Sequence, residues 1–69
     1  MTNEEFAQRV GCHFTMASRM KNGERLPSVK TLVRISDEFN LPISTLTQAH
    51  TQGPVAFSKL LRERVFEAA

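Results

Sequence analysis

Tryptophan and tyrosine are missing from this sequence, cysteine occurs once, and no apolar stretch approaches the ~18 residues that a membrane-spanning helix needs. The lone Cys12 excludes an internal disulfide, so the fold must close by packing alone, which suits a reducing compartment. The opening residues, Met1 to Glu5, have neither the basic start nor the apolar run of a secretory leader. These absences predict a cytoplasmic protein. A chain of 69 residues has room for one thin core and none for a deep catalytic cleft. Residues that do chemistry in combination are equally scarce. Cys12 and His13 are neighbours, but their side chains diverge at a helix start, and no second cysteine or nearby carboxylate completes a metal site or a nucleophile with its base. The expectation is no enzyme, no metal and no cofactor, with Cys12 in the core, His13 capping or packing, and His50 solvated in a connection.

The charge that is present is unevenly spread. The net value is only +2, yet the stretch from Arg9 to Arg34 holds six basic residues and a single acid, Glu24. A basic middle flanked by acidic ends is what a chain meeting phosphates through one surface would show, and it is equally what a solvated charged face would show. Charge alone leaves both readings open.

Local signals divide the chain into five helices and no strand. Thr2 with Glu5 three residues on forms a capping box before Phe6, Ala7 and Val10, so a first helix spans about residues 3 to 10. Gly11 ends it. A second helix, from about 13 to 21, stops at Asn22 and Gly23. Ser28 caps a third, in which Val29, Leu32, Ile35, Ser36 and Phe39 recur at helical spacing before Asn40, Leu41 and Pro42. A short fourth helix runs from Ile43 to about Ala49 around Leu46. A polar connection at 50–53 then leads to Pro54, which opens a fifth helix reaching Glu67. The expectation is a single all-α domain, with a core at 2–49 and a packing or dimerisation helix at 54–67.

The second helix separates into two faces. At about 100° per residue, Phe14, Thr15, Ser18, Arg19 and Asn22 fall within an arc of about 140°, and His13, Met16, Ala17 and Met20 lie opposite. The second arc, methionines included, reads as core. The first carries an arginine, two hydroxyls and an aromatic ring, groups able to meet base edges and thymine methyls. On the fifth helix Phe57, Leu60, Leu61 and Val65 form one apolar side, while Val55 and Phe66 lie nearly opposite. That second patch is either a frayed end before Ala68 and Ala69 or a dimer contact.

Ala7, Gly11, Ala17 and Met20, with Asn22-Gly23 and Pro27-Ser28 after them, resemble the helix-turn-helix of the phage repressor and Cro family over residues 2 to 47. The resemblance implies a helix-turn-helix formed by the first two helices and a further family helix before Thr2, which this sequence reads as lacking. The fifth helix would substitute for it in packing, or a partner chain would cover the gap. Position by position it implies base reading by Phe14, Thr15, Ser18 and Arg19. Asn3 matches a phosphate contact at a helix start, and Asn22, Arg25 and Ser28 match positions that follow the DNA backbone. Lys21 and Lys30 join the phosphate contacts on charge. Phe14 departs from a usually polar position, His13 stands where a serine or threonine often caps, and Ala17 is smaller than the usual residue. The function implied is a sequence-specific duplex-DNA regulator in a bacterial host cell or its nucleoid, a Cro-like repressor on an operator, acting as a homodimer through Val55 and Phe66. The alternative is an antitoxin-type module that uses the same fold to bind a protein.

Overall fold

Why each helix starts and stops where it does is mostly local chemistry. The computed structural model describes residues 1–67 and contains α1 Asn3–Val10, α2 Phe14–Lys21, α3 Val29–Phe39, α4 Ile43–Gln52 and α5 Pro54–Leu61, followed by a π turn at Arg62–Phe66. No strand occurs among the described residues, so the fold is all-α as expected. The Thr2 hydroxyl accepts from the Glu5 N–H at 3.1 Å while the Thr2 N–H donates to Glu5 Oε1 at 3.2 Å, the reciprocal bonds of a capping box. Gly11 closes α1 in the left-handed region at φ 71°, and its N–H donates to the Ala7 carbonyl. The Arg34 guanidinium lies against this turn, where a Cβ would be in ordinary contact at 3.4 Å, so it is the left-handed backbone that calls for glycine. Ser28 Oγ accepts from the Thr31 N–H at 3.4 Å to start α3, and Asn40 ends it at φ 53°.

The expected fourth helix is too short. α4 continues through His50 and Thr51 to Gln52, and only Gly53 separates it from Pro54 at the start of α5. His50 is therefore not a solvated connection residue. Its Nε2–H donates to the Pro27 carbonyl at 3.0 Å and its ring stands edge-on to Phe57, tying α4 to the loop before α3. Three polar side chains in a row look like a loop, but none breaks a helix, and the breaker is Gly53.

The core gathers from every element: Phe6, Ala7 and Val10 of α1, Ala17 and Met20 of α2, Leu32 and Ile35 of α3, Leu46 and Ala49 of α4, Phe57 and Leu61 of α5, and Val65 of the π turn. Val29, counted with the α3 stripe from its spacing, is 72 % exposed because it sits about 90° round the helix from the midpoint of Leu32 and Ile35. Phe6 lies at the centre. Its ring is 5.6 Å from Phe39 in a stacked arrangement and 5.1 Å from Phe66 in a tilted one.

Phe66 is thus not on an exposed side shared with Val55. The π turn advances its side chains less per residue than an α-helix does, and this shift carries Phe66 round to Phe6 while Val55 stays 73 % exposed. The patch read as one surface is two separate environments. Ala68 and Ala69, where fraying was the other reading, lie outside the described residues.

Cys12 is half-buried at the turn between α1 and α2 and packs against the core. Desolvation by burial pushes its thiol above the ordinary value, opposed in part by a backbone hydrogen bond. Because the thiolate is the nucleophile, alkylation by iodoacetamide near neutral pH should be several-fold slower in the folded protein than in urea. Equal rates in the two states would contradict this placement. The raised folded-state value also means that whatever stability this group contributes is present below the unfolded thiol's pKa and lost as pH rises through the folded one.

Candidate nucleic-acid interface

α2 is seated by Ala17 and Met20, both 0 % exposed, with Met16 half-buried beside them. That anchoring turns Phe14, Thr15, Arg19 and Asn22 outward, all exposed, with Phe14 at 52 %. Ser18, assigned to the same arc, is half-buried at its edge. His13 leaves the core arc where the helical angle had put it. It sits outside the helix as N-cap, exposed, and its Nδ1 accepts from the Thr15 N–H at 3.1 Å, so the missing serine or threonine is replaced by a ring nitrogen. A residue before the first helical position does not obey helical periodicity.

The basic residues divide by whether the fold occupies them. Among the described residues there is one ion pair, Arg9 Nε to Glu38 Oε1 at 3.6 Å, and the same guanidinium lies 4.5 Å over the Phe39 ring and donates to the Glu38 carbonyl. Arg9 therefore clasps the end of α3. The Lys21 ammonium rests 4.7 Å over the Phe66 ring. Arg19, Arg25 and Lys30 are exposed and have no carboxylate partner among the described residues. Arg34, which the sequence had only as part of a basic stretch, brings its guanidinium against the Gly11 turn. Its proximity to the helix-turn-helix corner depends on how α3 crosses α1, which no local signal encodes.

The polar candidates are similarly mixed. Asn22 follows α2 as its C-cap and is exposed, its N–H donating to the Ser18 carbonyl. Ser28 is exposed, but its hydroxyl is committed to Thr31, accepting from the N–H and donating to Thr31 Oγ1 at 3.3 Å. Asn3, in the first turn of α1, turns its Oδ1 inward, buried and without a donor, which leaves only the amide nitrogen for an outside acceptor. Two carboxylates, Glu4 and Glu5, share that turn. Neither α2 nor α3 has an acid in its first turn, so their N-terminal dipole ends are electrostatically open to an anion.

The arrangement is a short helix with an outward face of mixed donors and one aromatic ring, bordered by unpaired cations and two open helix starts. Such a surface suits a groove lined by phosphates. Among the described residues no three histidine, cysteine, aspartate or glutamate side chains come together as a metal would require, and no helix is long and apolar enough to cross a membrane. No curated protein and no solved structure matches the chain. The family model described as helix-turn-helix matches residues 1–46, two-thirds of the chain, covering α1, α2, α3 and the start of α4. The chain therefore belongs to the helix-turn-helix family of the Cro/C1 type, a family of DNA-binding regulators and not of enzymes.

Proposed function

We propose that this chain regulates transcription by occupying a specific duplex site, in the manner of a phage Cro-like repressor on its operator, with α2 in the major groove. The observation that carries the reading is the outward face of α2. Phe14, Thr15 and Arg19 are exposed on a helix whose other side is locked by Ala17 and Met20. Arg19 supplies a forked donor for guanine O6 and N7, Thr15 a single hydroxyl, and Phe14 an apolar contact for a thymine methyl, with half-buried Ser18 at the margin. Arg25 and Lys30, with Asn22, the Asn3 amide and Ser28 once its hydroxyl turns from Thr31, set the register on phosphates. Lys21, whose ammonium lies over Phe66, joins them on charge. A homodimer would double the base contacts, and Val55 is the α5 residue whose exposure suits such a contact.

Selection from random duplexes at two salt concentrations tests the proposal. The expected outcome is a defined site whose binding weakens steeply with salt, with log affinity against log salt falling by about 0.9 for each phosphate neutralised. Lys30→Ala should weaken all sequences about equally and reduce that slope by about one. A selected site with two-fold symmetry and half-sites about one helical turn apart would report two copies. Binding indifferent to salt, or a chain that ignores duplexes and captures a protein, would contradict the proposal and favour the antitoxin-type module.

A further inference from the structure

Ser58 stands where the pattern of α5 calls for an apolar residue. It shares a side with Leu61 and Val65, at i, i+3 and i+7, and is 0 % exposed, the one fully buried polar residue of the described core. A buried hydroxyl needs partners, and this one has two on different parts of the chain. It donates to the carbonyl of Lys21, the last residue of α2, and accepts from Arg62 Nη2 at 3.3 Å.

That carbonyl is the one at the end of α2 that the backbone leaves over. Those of Ser18, Arg19 and Met20 receive the N–H groups of Asn22, Glu24 and Gly23. The last carbonyls of any helix lack partners within it, and here the remaining donor comes from α5. Two further contacts meet at the same junction. Gly23, in the left-handed region at φ 77°, brings its backbone so close to α5 that a Cβ there would lie 3.5 Å from Val55 Cα and 3.6 Å from Ser58 Cβ. The Lys21 ammonium lies over Phe66, which packs on Phe6. All of these α5 and π-turn residues lie beyond the segment matched by the family model.

We propose that α5 and its π turn set the pose of α2 on DNA, with Ser58 as the positioning residue, so that the DNA-reading unit of this chain extends to Phe66. The proposal rests on α2 being the reader. Paired hydrogen bonds to a base tolerate little rotation of the helix that presents them, and Arg19 is two residues from the carbonyl that Ser58 holds. Buried Met20 seats the last turn of α2 on the core, and the Ser58 hydroxyl is the side-chain donor that fixes its terminal carbonyl.

Amide hydrogen exchange of the free protein, read beside duplex affinity, tests this with Ser58→Ala, Arg62→Ala and Ser58→Thr. In Ser58→Ala, exchange at Asn22, Gly23 and Glu24 should rise about five- to tenfold more than in α3 and α4, as expected for loss of one hydrogen bond. Affinity for the preferred duplex should fall by a similar factor, with base preference flattened. Arg62→Ala, a change at an exposed residue, should show a smaller effect at the same three amides, and decides the matter in the same way if Ser58→Ala does not fold. Ser58→Thr, which keeps the hydroxyl, should restore the wild-type exchange pattern. A uniform rise in exchange across the domain, or a folded variant with wild-type base preference, would overturn the positioning role. A wild-type protein that binds no duplex while the exchange change still appears would instead overturn the reading of α2.

Discussion

Phe6→Ala is expected to leave the chain largely unfolded at room temperature. Phe6 is 0 % exposed and joins three parts of the fold, since it belongs to α1 and its ring meets Phe39 of α3 and Phe66 of the π turn. Truncating a buried phenylalanine costs about 3–5 kcal/mol, the lost transfer energy plus the cavity left behind. A domain this small, with no disulfide, rarely has more than about 3–5 kcal/mol to lose. The two magnitudes are equal, so the substitution consumes the whole margin. Collapse around the cavity is limited because Phe39 is held from its other partners, with the Arg9 guanidinium over its ring and Arg9 paired to Glu38. Far-ultraviolet circular dichroism and a urea titration would read the result. A cooperative transition near the wild-type midpoint would show that the aromatic cluster is not the keystone of this core.

What could be read from the sequence was whatever depends on near neighbours. The Thr2–Glu5 box, the Gly11 and Asn40 stops and the Ser28 cap each involve residues within five positions, and all stand where the sequence put them. The outward setting of Phe14, Thr15 and Arg19 was likewise legible, because helical angle alone separates them from Ala17 and Met20. What the sequence did not show has distant causes. Nothing near Arg9 announces Glu38, and nothing near Lys21 announces Phe66. The π turn has no composition signal, and it places Phe66 against a ring sixty residues earlier in the chain. Ser58 did leave a trace, a serine at an apolar spacing, but its meaning depended on which carbonyl lay opposite.

Arg19→Ala is expected to cost about 1–3 kcal/mol on the preferred site and to relax preference at one base pair, leaving non-specific binding nearly intact. Arg19 is exposed, lies in the last turn of α2 and has no carboxylate partner among the described residues, so its guanidinium is free to reach a base edge while buried Met20 fixes the backbone beside it. Its removal disturbs no buried contact, so the folded structure should persist. An arginine that met only phosphate would behave differently, weakening every sequence by the same factor. Thr15→Ala should also shift preference, more weakly and at a neighbouring base pair, because one hydroxyl discriminates less than a forked donor.

Whether the exposed face of α2 reads sequence is decided by wild-type and Arg19→Ala affinities measured across every single-base variant of the selected duplex. Circular dichroism would confirm that both proteins are folded. The variant should lose discrimination at one guanine-containing pair and keep it at the others. A folded Arg19→Ala protein with an unchanged preference at every position would contradict it, and would remove α2 as the reader.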